Sequence, residues 1–245
     1  MQANQEFADW AVGWSGVNGG NPAGPLWVCG LEFGTGEDKP TLDRDRENYT
    51  VEGVPAWTDA FVRAYRTPIT RSPFIRKLAK VVLAFEGRPI NDYADFRVGG
   101  LLRPAGTAFH INLYPLSFRN MHGGHWSRDH YELTGFPNKL LYRAWCMQHR
   151  FPWLASHARR AAPRVLVCTG ASYAEDFRYA FCADPFASGT SWSLPSGKRV
   201  EEHAIGDGTR LLITPFFGQG GLMRNDDLAA LGRHARQGSQ GPVRE

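Results

Sequence analysis

Apolar residues recur along the chain in two rhythms, short continuous runs bounded by glycine or proline and longer stretches with three- and four-residue spacing. The runs LWVCGL (26–31), FHINLYPL (109–116), PRVLVCTG (163–170) and TRLLITPFF (209–217) predict four strands. Each is too uniformly apolar to leave one face in water, as expected of a covered parallel sheet. Helical spacing appears over 4–14, 57–66, 72–86, 139–161, 171–181 and 225–236. Ser72 is placed to cap the third of these with Pro73 in its first turn, and Asn225 to cap the last. Pro152 marks a kink or break inside 139–161. The segment TSWSLPSGKRVEEHAI (190–205) suggests a hairpin or edge strand around a Ser-Gly turn. GVNGGNPAGP (16–25), the polar stretch 35–56, NMHGGHWSRDHYEL (120–133) and GQGGLMR (218–224) read as loops.

Strands alternating with helices predict an α/β three-layer sandwich with a central, mostly parallel four-stranded sheet. One domain is expected over 1–236, with a disordered tail over 237–245. Functional residues in such sheets gather at the carboxyl ends of the strands. Three strands end in conspicuous residues, Glu32, Asn112 and Thr214-Pro215, and one site would hold all three.

Composition narrows the class. At 245 residues, 42% hydrophobic and 21% charged, the chain reads as an ordinary globular protein. It contains no apolar run of the ~18–20 residues that span a bilayer. MQANQEFADW lacks the basic start and apolar stretch of a signal peptide, so a cytoplasmic, membrane-free and monomeric protein is expected. A net charge of +4 permits an anionic partner such as DNA without demanding one. Cys29, Cys146, Cys168 and Cys182 form no CxxC pair and are expected to be free thiols. His122, His125 and His130 lie in a glycine-containing loop without cysteine and read as surface histidines rather than metal ligands.

The stretch PLWVCGLEFGTGED (25–38) carries the first candidate chemistry. Glu32-Phe33-Gly34-Thr35-Gly36 resembles part of the glycine-rich motif of S-adenosylmethionine-dependent methyltransferases. The residues after it do not open a helix, however, and no strand with a terminal acid follows at 50–60. The order of elements offers a second reading. From about residue 24 to 236 the chain resembles the uracil-DNA glycosylase superfamily: Gly30-Leu31-Glu32-Phe33-Gly34 stands at the first motif, Asn112 at the end of the next strand, and Thr214-Pro215-Phe216 with GQGGLMR at the last motif and its DNA-intruding loop.

That resemblance implies roles. Cleaving an N-glycosidic bond passes through an oxocarbenium-like sugar, which calls for an activated water near the anomeric carbon, and Glu32 is the acid implied there. Asn112, with a donor and an acceptor on one amide, would read the base edge, and His110 should face the same side of its strand. Thr214 stands where many members of the family place a histidine to hydrogen-bond the leaving base. Gly30, Leu31, Phe33, Gly34, Pro215 and Phe216 would complete the base pocket, with Tyr49 and Trp57 as further aromatic candidates. Gln219, Leu222, Met223 and Arg224 would contact single- or double-stranded DNA. No cofactor is implied. The same fold could also serve as a catalytically silent nucleic-acid or small-base binding module.

Overall fold

The computed structural model describes residues 2–32, 40, 42, 48–118, 126–206, 208–218 and 220–237. The first half of the chain runs through α1 (Gln5–Ala11), β1 (Gly19–Gly20), β2 (Leu26–Gly30), β3 (Thr50–Val51), β4 (Val54–Pro55), α2 (Asp59–Ala64), α3 (Arg66–Arg71), α4 (Pro73–Glu86), α5 (Tyr93–Gly99) and β5 (Ala108–Asn112). The second half continues with α6 (Arg128–Thr134), α7 (Lys139–Ala161), β6 (Val165–Thr169), α8 (Ala174–Phe181), β7 (Thr190–Ser193), β8 (Arg199–Ala204), β9 (Arg210–Thr214) and α9 (Asn225–Arg236).

The strands of the four apolar runs, β5, β2, β6 and β9, lie side by side and parallel, in that order. The sheet is wider than expected. It has seven strands and is mixed, because β1 pairs antiparallel with β5 and the β7–β8 hairpin extends the sheet antiparallel along β9. β1 consists of two glycines, which carry no alternation of apolar and polar side chains from which a strand could be read.

Strand alternation divides the interior into two cores. Leu26 and Val28 face α2, α4, α5 and α9, whereas Trp27, Cys29 and Leu31 face α1, α7 and α8. All residues of the four central strands are buried. The cysteines are free thiols; Cys29, Cys146 and Cys168 are buried and Cys182 is half-buried. No helix among the described residues is long and apolar enough to cross a membrane.

Local signals explain several boundaries. Ser72 Oγ accepts from the Ile75 amide at 3.2 Å and Pro73 opens α4, which ends at Gly87 in the left-handed region (φ 77°). α7 runs continuously through Pro152 for 23 residues. Three expectations need correction. Within 35–56, the described residues include the β3–β4 hairpin. Residues 128–133 of the stretch read as loop lie in α6, and His130 is buried against the Phe118 ring at 5.3 Å rather than on the surface. Asn225 does not cap α9; it is the first helical residue, and its side chain accepts from Lys80 Nζ at 2.7 Å.

An ionic clamp ties β8 to β9 and to α9. Glu202 of β8 accepts from Arg210 Nε of β9 at 2.6 Å and lies 2.7 Å from His234 Nε2 of α9. These bonds, that to His234 foremost, hold the Glu202 carboxyl down at about 2.

Candidate active site

Register places Gly30, the last residue of β2, beside Asn112, the last of β5. A Cβ on Gly30 would lie 2.2 Å from Asn112 Oδ1, so the amide is packed against a backbone that only glycine provides. Asn112 Nδ2 donates to the Gly16 carbonyl at 2.8 Å. Two residues earlier, His110 Nδ1 lies 3.1 Å from Asn18 Nδ2. Segment 11–18 therefore orients both side chains.

That segment is held by Arg150, whose side chain is fully buried. Its Nε donates to Leu113 O (2.8 Å) and its Nη2 to Ser15 O (2.7 Å) and Asn112 O (3.0 Å). Nη1 donates to Ala11 O (2.5 Å), Gly13 O (3.1 Å) and Ser15 Oγ (2.9 Å). Burial lowers the guanidinium to about 10, which leaves it cationic at neutral pH. Carbonyl dipoles compensate the charge, with no carboxylate bonded to it among the described residues.

At the carboxyl ends of β2 and β5 lies a cavity of about 460 Å³, within the size range of small-molecule sites. Trp57, Phe61 and Tyr65 line it as a stacked ladder, with centroid spacings of 5.5 and 4.6 Å. Phe74 adds a second aromatic surface, edge-on to His110 at 5.2 Å and stacked with Phe216 at 6.3 Å. Ser72 to Ile75, the capped start of α4, also line the cavity, so the positive end of that helix dipole opens on it.

Glu32 lines the same cavity, but its carboxyl is withdrawn toward α7. The side chain is 7% exposed, Oε2 has no hydrogen bond among the described residues, and Lys139 Nζ is 4.0 Å away. Burial pushes the carboxyl up to about 8, against the opposing pull of Lys139 and Arg143. Lys139, lowered by the same burial, stands 3.6 Å over the Phe118 ring. Arg143 is held by Asp176 at 2.7 Å and by the Tyr114 hydroxyl at 3.2 Å.

The structure thus gathers Gly30, Glu32, His110, Asn112 and Phe216 around one cavity. Leu31 packs into the opposite core, and Tyr49 stands behind the ladder against Phe61 and Tyr65. Thr214 is fully buried, its hydroxyl donates to the Pro215 carbonyl at 2.8 Å, and neither residue lines the cavity. Phe33, Gly34, Gln219, His122 and His125 lie outside the described residues.

Beyond Phe216 the last loop is bound by lysines. Lys77 Nζ donates to Gly218 O at 3.3 Å and lies 3.2 Å from Met223 Sδ, while Lys198 donates to the carbonyls of Gly220 and Gly221. A Cβ on Gly221 would lie 1.7 Å from Phe216 O, which accepts the Leu222 amide at 2.8 Å. Leu222 is core, whereas Met223 is 59% exposed and Arg224 is exposed and paired with Asp226.

Sequence reasoning missed Asn18, the Phe61–Tyr65 wall, the start of α4, and the cations of α7. A signal for the last was present: Lys139, Arg143 and Arg150 fall at spacings of four and seven, on one side of a helix whose Tyr142 and Cys146 are core. No protein-family model and no curated protein matches this chain.

Proposed function

We propose that this protein is a DNA base-excision N-glycosylase of the uracil-DNA glycosylase type, acting on a flipped, deaminated or otherwise modified base. The observation that carries this reading is the meeting of an amide and a buried carboxyl, Asn112 and Glu32, on one aromatic-walled cavity at the strand ends. Aromatic walls stack on a base extruded from DNA, and the second N–H of Asn112 hydrogen-bonds its edge. When the C1′–N bond breaks, its electron pair leaves with the base, and the positive end of the α4 dipole favours that charge. The sugar is left electron-poor and takes up water, whose proton passes to the ionised fraction of Glu32. Thr214, with its hydroxyl committed to Pro215, drops out of the leaving-group role, and α4 takes its place.

The surroundings suit a polyanion. Lys77 and Lys198 bind the loop that exposes Phe216 and Met223, and burial, followed by the cations Arg76, Lys198 and Lys80, lowers Lys77. The reading is tested by incubating the protein with oligonucleotides carrying uracil, hypoxanthine or xanthine, followed by alkali. Strand breaks that disappear with Glu32→Ala support it. Retention of the modified strand without breaks favours the silent binding module instead, to which the commitment of the Thr214 hydroxyl lends weight.

A further inference from the structure

Lys139 breaks two local rules at once. It is the first helical residue of α7, directly after Asn138, whose side chain caps the helix by accepting the Leu141 amide at 3.0 Å. A cation there meets the positive end of the helix dipole, where an acid is the favoured residue. The side chain is also only 5% exposed, and a buried ammonium gives up its hydration. Violations of local preference cluster at functional sites.

The ammonium faces Glu32. Nζ stands 4.0 Å from Oε2, and both side chains are more than nine-tenths buried, so their attraction is weakly screened. The Phe118 ring, 3.6 Å from Nζ, supports the cation through its π face. Arg143, one turn along α7, is committed to Asp176 at 2.7 Å and to the Tyr114 hydroxyl at 3.2 Å. Its charge is matched there, and its pull on Glu32 is the weaker of the two.

We infer that Lys139 is a positioning residue for the reaction: from α7 it holds the Glu32 carboxylate in place and favours the charged form that takes up the proton of water. The inference rests on the base-excision reading above and adds a residue to it. Among the described residues, the other titratable groups around the pair are Arg143 and Tyr142 of α7, Tyr173 ahead of α8, His110 on the cavity side and His130 of α6, which faces Lys139. Burial raises both phenols and lowers His130, so above the ordinary histidine range these three are uncharged.

The test is a carbon-13 NMR titration of the Glu32 carboxyl in the glutamate-labelled whole chain, assigned with Glu32→Gln, for parent, Lys139→Met and Lys139→Arg. Lys139→Met keeps an apolar stem and removes the charge. At pH 6 it sets a neutral side chain beside a largely protonated carboxyl, so the fold should tolerate it, and Lys139→Gln gives the same reading if it does not. The midpoint should rise by about one pH unit or more in Lys139→Met, a tenfold loss of ionised carboxyl below the midpoint, and stay within about half a unit of the parent in Lys139→Arg. The pH profile of single-turnover excision should move by the same amount. A midpoint unmoved in Lys139→Met, or displaced equally in Lys139→Arg, overturns the inference whatever the activity. A shifted midpoint with an unshifted excision profile overturns the positioning role. Shifted midpoints with a parent that excises none of the modified bases overturn the base-excision reading and leave the pairing of Lys139 with Glu32 standing.

Discussion

Arg150→Lys is the sharpest probe of how the site is held. The substitution keeps the positive charge and most of the aliphatic stem but replaces a planar fork of five N–H donors with an ammonium of three. In the native protein the guanidinium makes six contacts, to Leu113, Ala11, Gly13, Asn112 and both the carbonyl and the hydroxyl of Ser15. Lysine can serve at most half of these, and the site is fully buried, so water is poorly placed to replace the rest. At about 1 kcal/mol for each acceptor left without a donor, the loss is about 3 kcal/mol. For a domain of this size that corresponds to a drop of roughly 6–12 °C in Tm. Urea denaturation of parent and variant measures it. The variant should also bind base less well in conditions where it remains folded, because segment 11–18 carries Gly16 and Asn18 to Asn112 and His110. A stability within about 0.5 kcal/mol of the parent would refute the claim that these bonds hold the segment.

Other perturbations follow the same reasoning. Gly30→Ala should displace the Asn112 amide, costing about 1–3 kcal/mol in stability and most of the cleavage activity, as read by denaturation and oligonucleotide assay; the clash distance is 2.2 Å. Glu202→Gln should cost about 1–3 kcal/mol by loosening Arg210 and His234. The Glu202 carboxyl is held down, so its contribution is complete above the ordinary carboxylate range and is lost as pH falls toward 2; thermal melts of parent and variant should converge in acid. Glu32 behaves oppositely. Its carboxyl is raised, so the protein loses stability as pH rises from the ordinary range through about 8, and the Tm of Glu32→Gln relative to parent should climb between pH 5 and 9.

The parallel centre of the sheet was legible because each of its strands is an apolar run between breakers, and α4 because its helical spacing follows Ser72 and Pro73 at its start. The glycine strand β1 left no pattern to read, and α6 was hidden in a segment of polar and aromatic residues. Asn112 and His110 were placed on one side of a strand by alternation alone, and they share the cavity. The Thr214 hydroxyl illustrates the limit. Its position at a strand end was visible, but its bond to Pro215 depends on a rotamer that spacing does not encode. Arg150 meets segment 11–15 across more than 130 residues of chain, and no local rule anticipates that contact.

The most direct test of the account is single-turnover excision of the base from a modified oligonucleotide by parent and Glu32→Gln, followed from pH 6 to 9. The parent rate should rise with pH and level near 8, as the carboxyl ionises. Glu32→Gln should be at least a hundredfold slower and flat across the range. An undiminished rate in Glu32→Gln, or a parent rate that falls over the same interval, would contradict the assignment of Glu32 as the base that activates water.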